Sequence, residues 1–515
     1  MDRFIARFGD RIIGVLSGFD RLVFRGTIRQ IAFVAGLMGF LWKRKVLLKD
    51  FGAFAETLTE RVKEASLAEA RRLGRPVRYL PSGGLNKERI ARQIAREDKI
   101  QEGLLAVLTA VEPCRTYDIF RNRDLQKLQL VPRVRKCLFL YHYFVDPIFG
   151  FMNARIQTWF PFSIQICLNG REWLAREMDR EGLAYRREDN CFPWIADAEQ
   201  AQTLMDRQLR TRWPELLRAI ARRLNPDHGT IFPELELDYY WSVYQSEWAS
   251  DLMFRNAENL AEIYPALVRH GIGAFSSPDV MRFLGQKPHW NLDQEIRTSF
   301  KDRVEGVRIK HWVGSNSAKL YDKGSILRAE ATLQDPTPFK VYRAKEGDPD
   351  GPKAWRGLRA GIADLARRAT ISQAINDRYV EAMAAADTSI PVGRLAAEMT
   401  GPVRWQGRRM RGLRPWESED LKLFRAVNDG KWTIHGFRNR DLQEMLFEGP
   451  AGSPQEQRRR SARVTRLIRL LRAHGLVKKE PRARRYSVTA RGRETMTALL
   501  AAQDVTLENL RKLVA

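Results

Sequence analysis

The chain has 515 residues, which is too long for one hydrophobic core and predicts several domains. Its hydrophobic fraction of 44% excludes a largely disordered protein. The 88 basic and 62 acidic residues give a formal net charge of +26, which predicts a polyanionic partner such as nucleic acid unless the whole proteome is basic.

The cysteines and the apolar segments limit the kind of protein further. Four cysteines lie far apart and form no CxxC pair, which argues against a zinc ribbon and a disulfide framework. This usage predicts a reduced, cytoplasmic location. The longest apolar run, residues 31–42, is shorter than the roughly 20 residues of a membrane span, and no small-residue cleavage site follows it. Neither a membrane partner nor a signal peptide is therefore predicted.

Residues 1–115 are predicted to form a mostly helical region. Helical spacing runs from Phe4 to Val23, and amphipathic patterns at 47–73 and 87–96 predict two further helices. Several basic residues of this region could contact phosphate: Arg21, Arg25, Arg29 and the stretch Lys43–Lys45. They could equally form a solvated rim, and the rim is the favoured interpretation.

Residues 116–345 are predicted to form a central α+β domain built on a mixed sheet. Aromatic, β-prone segments between residues 136 and 166 predict strands, and Tyr239–Phe254 predicts another. The last segment contains two carboxylates, Glu247 and Asp251, among largely apolar residues. Buried carboxylates need a counter-charge, so either an arginine or a metal ion is expected beside them.

The stretch from Gly314 to Arg343 is predicted to fold as a β-hairpin. Gly324 lies in a short turn, and the return strand Ile326–Leu333 alternates between apolar and polar residues. Alternation on both strands predicts one open sheet face with five polar side chains: Lys319, Tyr321, Lys323, Arg328 and Glu330.

This combination of side chains is suited to phosphodiester chemistry. A tyrosine hydroxyl beside cations and a metal ion can attack phosphorus and retain the cut end covalently. The order Gly-Ser-x-Ser, Tyr-Asp-Lys and Arg-x-Glu resembles the nicking site of rolling-circle replication initiators of the Rep_trans type. The matching residues are Gly314, Ser315, Ser317, Tyr321, Asp322, Lys323, Arg328 and Glu330.

The resemblance implies a tyrosine DNA-nicking endonuclease of a replicon or mobile element, dependent on Mg²⁺ or Mn²⁺. It implies that Tyr321 is the nucleophile and that Lys323 and Arg328 neutralise charge. It also implies that Asp322 and Glu330 hold the metal ion or orient the phosphate.

Two points leave this interpretation open. The family's upstream Asp-x-x-x-Asp strand has only a loose counterpart in Glu247 and Asp251 as metal ligands. Alternatively, the polar face of the hairpin is simply solvated or salt-bridged, with Arg328 and Glu330 two residues apart on it. The protein would then be a non-catalytic DNA-binding regulator or an RNA-binding component of a nucleoprotein complex.

Other catalytic classes find less support in the sequence. No His-x-His motif occurs among the seven histidines, so the common two-histidine relaxase site is absent. The motifs GxxxxGK[ST], HExxH and GxSxG are absent as well, and no ATP-driven motor is indicated. His311 precedes Gly314 by three residues, and a structural role is the favoured interpretation of this lone histidine.

A helical linker is predicted at 346–415, followed by a domain at 416–515. Two helical patterns precede a capping box that begins at Ser453 and opens a long helix to His474. This helix is predicted to have an apolar stripe of Val464, Leu467, Ile468 and Leu471. A two-stranded segment and a closing helix follow, and this order resembles the winged helix-turn-helix superfamily. Its basic residues are expected to bind DNA: Arg458, Arg459, Arg460, Arg463, Arg466, Arg469, Lys478, Lys479, Arg482, Arg484 and Arg485.

One internal repeat, FRNRDLQ, occurs at Phe120–Gln126 and at Phe437–Gln443. The second copy fits the start of a helix with Asn439 as its cap. The repeat is interpreted as a recurrent helix start or a partial duplication, without assigned chemistry.

Overall fold

The computed structural model describes residues 1–81, 85–225, 229, 239–286, 296–303, 306–345, 347–348, 350–386, 392–429, 432, 436–480 and 485–503. Across these residues the chain is an α+β protein with a large mixed sheet, which confirms that part of the predicted fold. No helix in these ranges is both long and apolar enough to cross a membrane.

Fifteen α-helices occur within the described residues. In chain order they are α1 (Asp2–Phe8), α2 (Val34–Lys43), α3 (Phe51–Arg72), α4 (Lys87–Glu97), α5 (Gly170–Arg180), α6 (Ala198–Arg207), α7 (Trp213–Leu224), α8 (Ala257–Gly273), α9 (Ser277–Phe283), α10 (Leu365–Met383), α11 (Val392–Thr400), α12 (Ser418–Val427), α13 (Asn439–Leu446), α14 (Pro454–Ala473) and α15 (Ala490–Gln503). Helices α3 and α4 confirm the two amphipathic patterns near the N-terminus. Helix α14 begins after Ser453, as the capping box predicts, because the Ser453 hydroxyl accepts a hydrogen bond from the Glu456 amide at 3.2 Å.

Nineteen strands are present in the same ranges. They are β1 (Ile12–Thr27), β2 (Val77–Tyr79), β3 (Gly103–Asn122), β4 (Lys127–Asp146), β5 (Gly150–Gln157), β6 (Ile164–Asn169), β7 (Tyr185–Glu188), β8 (Cys191–Ile195), β9 (Tyr240–Phe254), β10 (Ile296–Arg303), β11 (Gly306–Val313), β12 (Asn316–Asp322), β13 (Ile326–Leu333), β14 (Lys340–Arg343), β15 (Ala354–Gly357), β16 (Val403–Trp405), β17 (Arg408–Met410), β18 (Val477–Lys479) and β19 (Tyr486–Val488).

The chain divides into two compact units, and each combines segments that are distant in the sequence. Unit 1 comprises Met1–Val15, Asp251–Ala331 and Ala374–Ala515. Unit 2 comprises Leu16–Ser250 and Thr332–Gln373.

Unit 2 is built on strands in the order β9-β1-β6-β5-β4-β3-β2. Strands β2 and β3 run parallel, whereas β3, β4, β5, β6 and β1 pair antiparallel in turn. Helix α4 is capped by Asn86, whose side chain accepts a hydrogen bond from the Arg89 amide at 3.0 Å. Its apolar residues Ala91 and Ile94 pack in one buried cluster with Leu105 and other residues of β3. This packing fixes the core of the long β3–β4 hairpin.

Unit 1 contains strands in the order β10-β11-β12-β13 and the C-terminal segment of the chain. The apolar stripe predicted for α14 is buried in a separate cluster that includes Val464, Ile468 and Leu471. Phe437 lies in the same cluster and forms a β-bridge with Tyr486 of β19. Elements α12 to α15 therefore share a single hydrophobic core with the β18–β19 hairpin.

The prediction that residues 1–115 are mostly helical is wrong at two places. Strand β1 occupies most of the stretch from Phe4 to Val23 that shows helical spacing. Five consecutive residues of β1, from Leu16 to Asp20, are buried, so this part of the strand lacks the two-residue alternation of a half-exposed strand. Strand β3 likewise begins inside this region, at Gly103.

The two copies of FRNRDLQ adopt different structures. The first copy ends β3 and forms the turn to β4, where the Asn122 side chain accepts hydrogen bonds from the Asp124 and Leu125 amides at 3.0 Å. The second copy starts α13, and Asp441 accepts a hydrogen bond from the Arg438 amide at 2.7 Å. The interpretation as a recurrent helix start is therefore wrong for the first copy, and α13 begins after Arg438 instead of Asn439.

Candidate functional site

The predicted hairpin is confirmed as strands β12 and β13. Its turn is closed by a hydrogen bond from the Lys323 amide to the Ile326 carbonyl at 2.9 Å. Gly324 has a φ of +77°, a conformation that glycine adopts without strain. The Asp322 carboxylate accepts a hydrogen bond from the Gly324 amide at 2.7 Å. Burial nevertheless raises the pKa of Asp322 above its ordinary value.

The polar face of the hairpin is not open, contrary to the prediction. Arg328 and Glu330 are 1% and 2% exposed, and Lys319 is 9% exposed. Tyr321 and Lys323 are half-buried. All eight residues of β13 are buried, so both faces of this strand are covered. The alternation of apolar and polar residues had suggested one solvated face, but here the polar side chains are buried with partners.

Arg328 is paired with Asp251 at the end of β9. Its Nε donates to one Asp251 oxygen at 2.5 Å, and a terminal nitrogen donates to the other oxygen at 2.8 Å. Asp251 is 1% exposed. Of the two counter-charges expected for this carboxylate, the structure therefore supplies the arginine.

Glu330 forms a second polar group with Lys319 and Tyr321. The Lys319 ammonium makes an ion pair with one carboxylate oxygen, and the Tyr321 hydroxyl donates to the other at 2.6 Å. Burial alone would raise the pKa of Glu330, but the charge and hydrogen bond of Lys319 and the hydrogen bond of Tyr321 outweigh it. The pKa of Glu330 is therefore held below its ordinary value, and the carboxylate is a ready hydrogen-bond acceptor for Tyr321.

The four predicted metal ligands lie in different surroundings. Both oxygens of Asp251 accept from Arg328, and those of Glu330 accept from Lys319 and Tyr321. Glu247 belongs to unit 2, where it accepts from Gln245 at 2.9 Å and lies 3.8 Å from Arg21. Among the described residues, no group of three potential ligand atoms within 4.8 Å includes Asp251 or Asp322. Both Asp251 oxygens therefore already bind a cation of the protein, whereas the Asp322 carboxylate accepts from the Gly324 amide.

The surroundings of His311 indicate a structural role. It is 1% exposed, its Nδ1 lies 2.9 Å from the Thr298 hydroxyl, and its ring packs edge-on against Tyr379. Burial lowers the pKa of His311 to about 3.

Acid is expected to destabilise unit 1 through His311. The unfolded chain binds a proton at this ring below about pH 6.5, whereas the folded chain does not until about pH 3. The contribution of neutral His311 to the free energy of unfolding is therefore fully present above pH 6.5. It falls by about 1.4 kcal/mol per pH unit as the pH drops from 6.5 toward 3. Ring NMR should show neutral His311 at about pH 5, and His311→Gln should flatten the pH dependence of unfolding. A ring that titrates near its ordinary pKa would contradict this expectation.

Helix α14 presents an arginine-rich exposed face. Its buried stripe faces the core, and five arginines lie on the opposite arc of the helix: Arg458, Arg459, Arg463, Arg466 and Arg469, all exposed. Lys478 and Lys479 are exposed on β18, and Arg485 is half-buried. Arg482 and Arg484 lie outside the described residues.

Arg460 differs from its neighbours on α14. It donates to Glu456 at 2.6 Å and to the Gly449 carbonyl at 2.8 Å, and its guanidinium lies 5.1 Å from the Phe447 ring centre. These contacts hold the start of α14 against the preceding loop. The structure thus separates Arg460 from the exposed arginines with which the sequence groups it.

Unit 2 contains a third group of polar side chains, which the sequence did not predict as a site. Three arginines from different strands line one cavity of about 350 Å³: Arg25 of β1, Arg115 of β3 and Arg155 of β5. Only the strand register brings them together, so the linear sequence contains no direct signal for the group.

Comparisons of the chain with family models, with curated proteins and with solved structures gave no match.

Proposed function

We propose that this protein binds duplex DNA through its C-terminal segment, which we interpret as a winged helix-turn-helix. The order α12, α13, α14, β18–β19 and α15 supports this interpretation. An isolated β-bridge between Phe437 and Tyr486 joins the segment before α13 to the β18–β19 hairpin. Helix α13 is tied to α14 because the Asn439 amide group donates to the Ser461 carbonyl at 2.9 Å. In this arrangement α14 is the helix that enters the major groove.

The exposed arginine face of α14 carries the proposal. Between Arg458 and Arg493 the sequence has twelve arginines and two lysines but a single acid, Glu480. Arg463 donates to Glu419 at 2.5 Å, and this pair could compete with a phosphate contact. Arg458, Arg466 and Arg469 are exposed on the same face and suit contacts to DNA phosphates. The decisive test is the salt dependence of duplex binding when these three arginines are neutralised.

A second candidate function is strand nicking by Tyr321. The observation that favours it is the 2.6 Å hydrogen bond from the Tyr321 hydroxyl to the Glu330 carboxylate, which places a proton acceptor beside the attacking oxygen. In this step the Tyr321 oxygen bonds to phosphorus while the bond to the leaving sugar oxygen breaks. Glu330 takes the tyrosine proton, and water protonates the leaving oxygen. We assign Lys323 to charge neutralisation and Arg328 to holding Asp251.

Tyr321→Phe is expected to abolish nicking if this second function operates. Wild type should convert supercoiled or single-stranded DNA into cut product that is covalently attached to protein, and the variant should form none because it lacks the attacking oxygen. The assay is run with Mg²⁺, with Mn²⁺ and with chelator. Tyr342→Phe is the matched control, since Tyr342 is an exposed tyrosine outside strands β12 and β13. Equal behaviour of wild type and Tyr321→Phe in every condition would remove the nicking proposal.

A further inference from the structure

Three adjacent strands of unit 2 place two arginines on the same face of the sheet. In the strand register, Arg25 of β1 lies opposite Gln165 of β6, and Arg155 of β5 lies opposite the same Gln165. Residues directly opposite one another on neighbouring strands point to the same face. Arg115 of β3 lines the same cavity, and its positive charge acts on Arg25.

The cavity is short of negative charge. Arg155 donates to Glu112 at 2.9 Å and to Gln165 at 3.4 Å, and it stacks on Phe139 at 3.7 Å. The same Glu112 carboxylate also binds Lys87 at 3.0 Å. The Glu112 carboxylate thus already pairs with two cations, Arg155 and Lys87, and Arg25 and Arg115 add two further positive charges nearby.

Arg25 lies in an unfavourable electrostatic position. Its Nε is buried and has no hydrogen-bond partner within the described part of the chain. Burial and the positive charges of Arg115 and Arg155 lower its pKa, and these effects outweigh the opposing effect of Tyr244. A cation held in this way destabilises the protein unless an anion joins it. This environment differs from the solvated rim that the sequence favoured for Arg25.

We propose that Arg25, Arg115 and Arg155 bind a phosphate group of a nucleic-acid backbone. Guanidinium groups present paired N–H donors that match two oxygens of one phosphate. The cavity has room for a phosphate with part of its sugar, and Gln157, Ser163 and Gln165 add polar groups to its wall. This inference rests on the proposed function in one respect, because it assigns nucleic acid as the source of the phosphate.

The neighbouring β3–β4 hairpin favours a polymer over a small phosphate. Its outer part carries exposed basic residues, of which Lys127, Arg133 and Arg135 alternate in step with Tyr141, the residue opposite Arg155, and so share the face of Arg155. Asp118 binds Arg133 and Arg135, so it offsets part of this charge. A strip of cations leading from a phosphate site is suited to a strand with many phosphates and would be of no use to a single ion.

The test compares Arg25→Gln and Arg115→Gln in the full chain, with Arg207→Gln as an exposed-arginine control. Without ligand, Arg25→Gln should raise the melting temperature, because it removes a repelled cation. Inorganic phosphate should stabilise wild type more than either site variant. Each site variant should weaken binding of an oligonucleotide about tenfold, the value of one charge-assisted hydrogen bond. Each site variant should also make the slope of log affinity against log salt shallower by the value of about one phosphate contact.

Several outcomes would overturn the proposal. A lower melting temperature of Arg25→Gln with unchanged phosphate and oligonucleotide binding would make Arg25 purely structural. Arg115 is exposed, so the Arg115→Gln variant should fold normally. Unchanged oligonucleotide binding by this variant would therefore also count against the site. A phosphate effect without an oligonucleotide effect would assign the cavity to free phosphate and reject the nucleic-acid source.

Failure of this inference can be told apart from failure of the proposed function. If neutralising the α14 arginines abolishes duplex binding while Arg25→Gln and Arg115→Gln leave oligonucleotide binding unchanged, the C-terminal proposal holds and the cavity proposal fails. If Arg25→Gln and Arg115→Gln weaken oligonucleotide binding while neutralising the α14 arginines leaves duplex binding unchanged, the cavity proposal is supported and the C-terminal proposal fails.

Discussion

Replacing Arg458, Arg466 and Arg469 together by glutamine is expected to lower duplex DNA affinity at least about 100-fold at low salt. Each phosphate contact releases condensed counterions, and a plot of log affinity against log salt has a slope of about −0.9 per contact. The triple variant should therefore have a slope shallower by about three contacts. Fluorescence anisotropy with a labelled duplex, titrated at several salt concentrations, measures both quantities.

A matched control separates the α14 face from a general charge effect. Arg207, Arg210 and Arg212 are exposed arginines of unit 2, and replacing them by glutamine removes the same formal charge. If both triple variants lose affinity equally, the loss reflects net charge and the α14 face has no special role. If neither loses affinity, DNA binding through the C-terminal segment is excluded.

Arg328→Met is expected to destabilise unit 1 by about 3–5 kcal/mol. The substitution leaves the Asp251 carboxylate buried without its two hydrogen bonds, and an unpaired buried charge is strongly unfavourable. Urea denaturation followed by tryptophan fluorescence should show a transition at much lower urea than in wild type. If nicking is established, the same variant tests whether Arg328 acts only by supporting the hairpin.

The double variant Arg328→Met/Asp251→Leu provides the internal check on this expectation. Removing both charges eliminates the unpaired carboxylate, so most of the lost stability should return. Arg207→Met is the external control, because Arg207 pairs with Glu181 at 2.7 Å on the surface and should contribute no more than about 1 kcal/mol. An Arg328→Met variant as stable as Arg207→Met would show that the buried pair is not required.

Much of the local structure could be predicted because its causes are local. The cap at Ser453, the turn at Gly324 and the apolar stripe from Val464 to Leu471 each depend on residues a few positions apart. Those predictions are confirmed. Strand β1 was wrongly predicted as helical, because a strand buried on both faces loses the alternation that distinguishes it from a helix.

The repeat FRNRDLQ shows the limit of local reasoning most directly. The same seven residues end a strand in one copy and start a helix in the other. Phe120 is 51% exposed at the end of a hairpin, whereas Phe437 is completely buried in the C-terminal core. Packing of that single side chain differs between the copies, and the backbone follows its surroundings.

The sequence by itself determined the net charge of this protein and the positions of several helices and turns, because charge and short-range periodicity are properties of the chain alone. It indicated a polyanionic partner and drew attention to the hairpin around Tyr321. Only the tertiary structure decided which charges are paired. Asp251 meets Arg328 from 77 positions away, and Arg25, Gln165 and Arg155 align only through strand register. Burial and cross-strand neighbours arise from long-range packing. One arginine, Arg328, therefore becomes a structural counter-ion, whereas another, Arg25, has a buried Nε without a hydrogen-bond partner among the described residues.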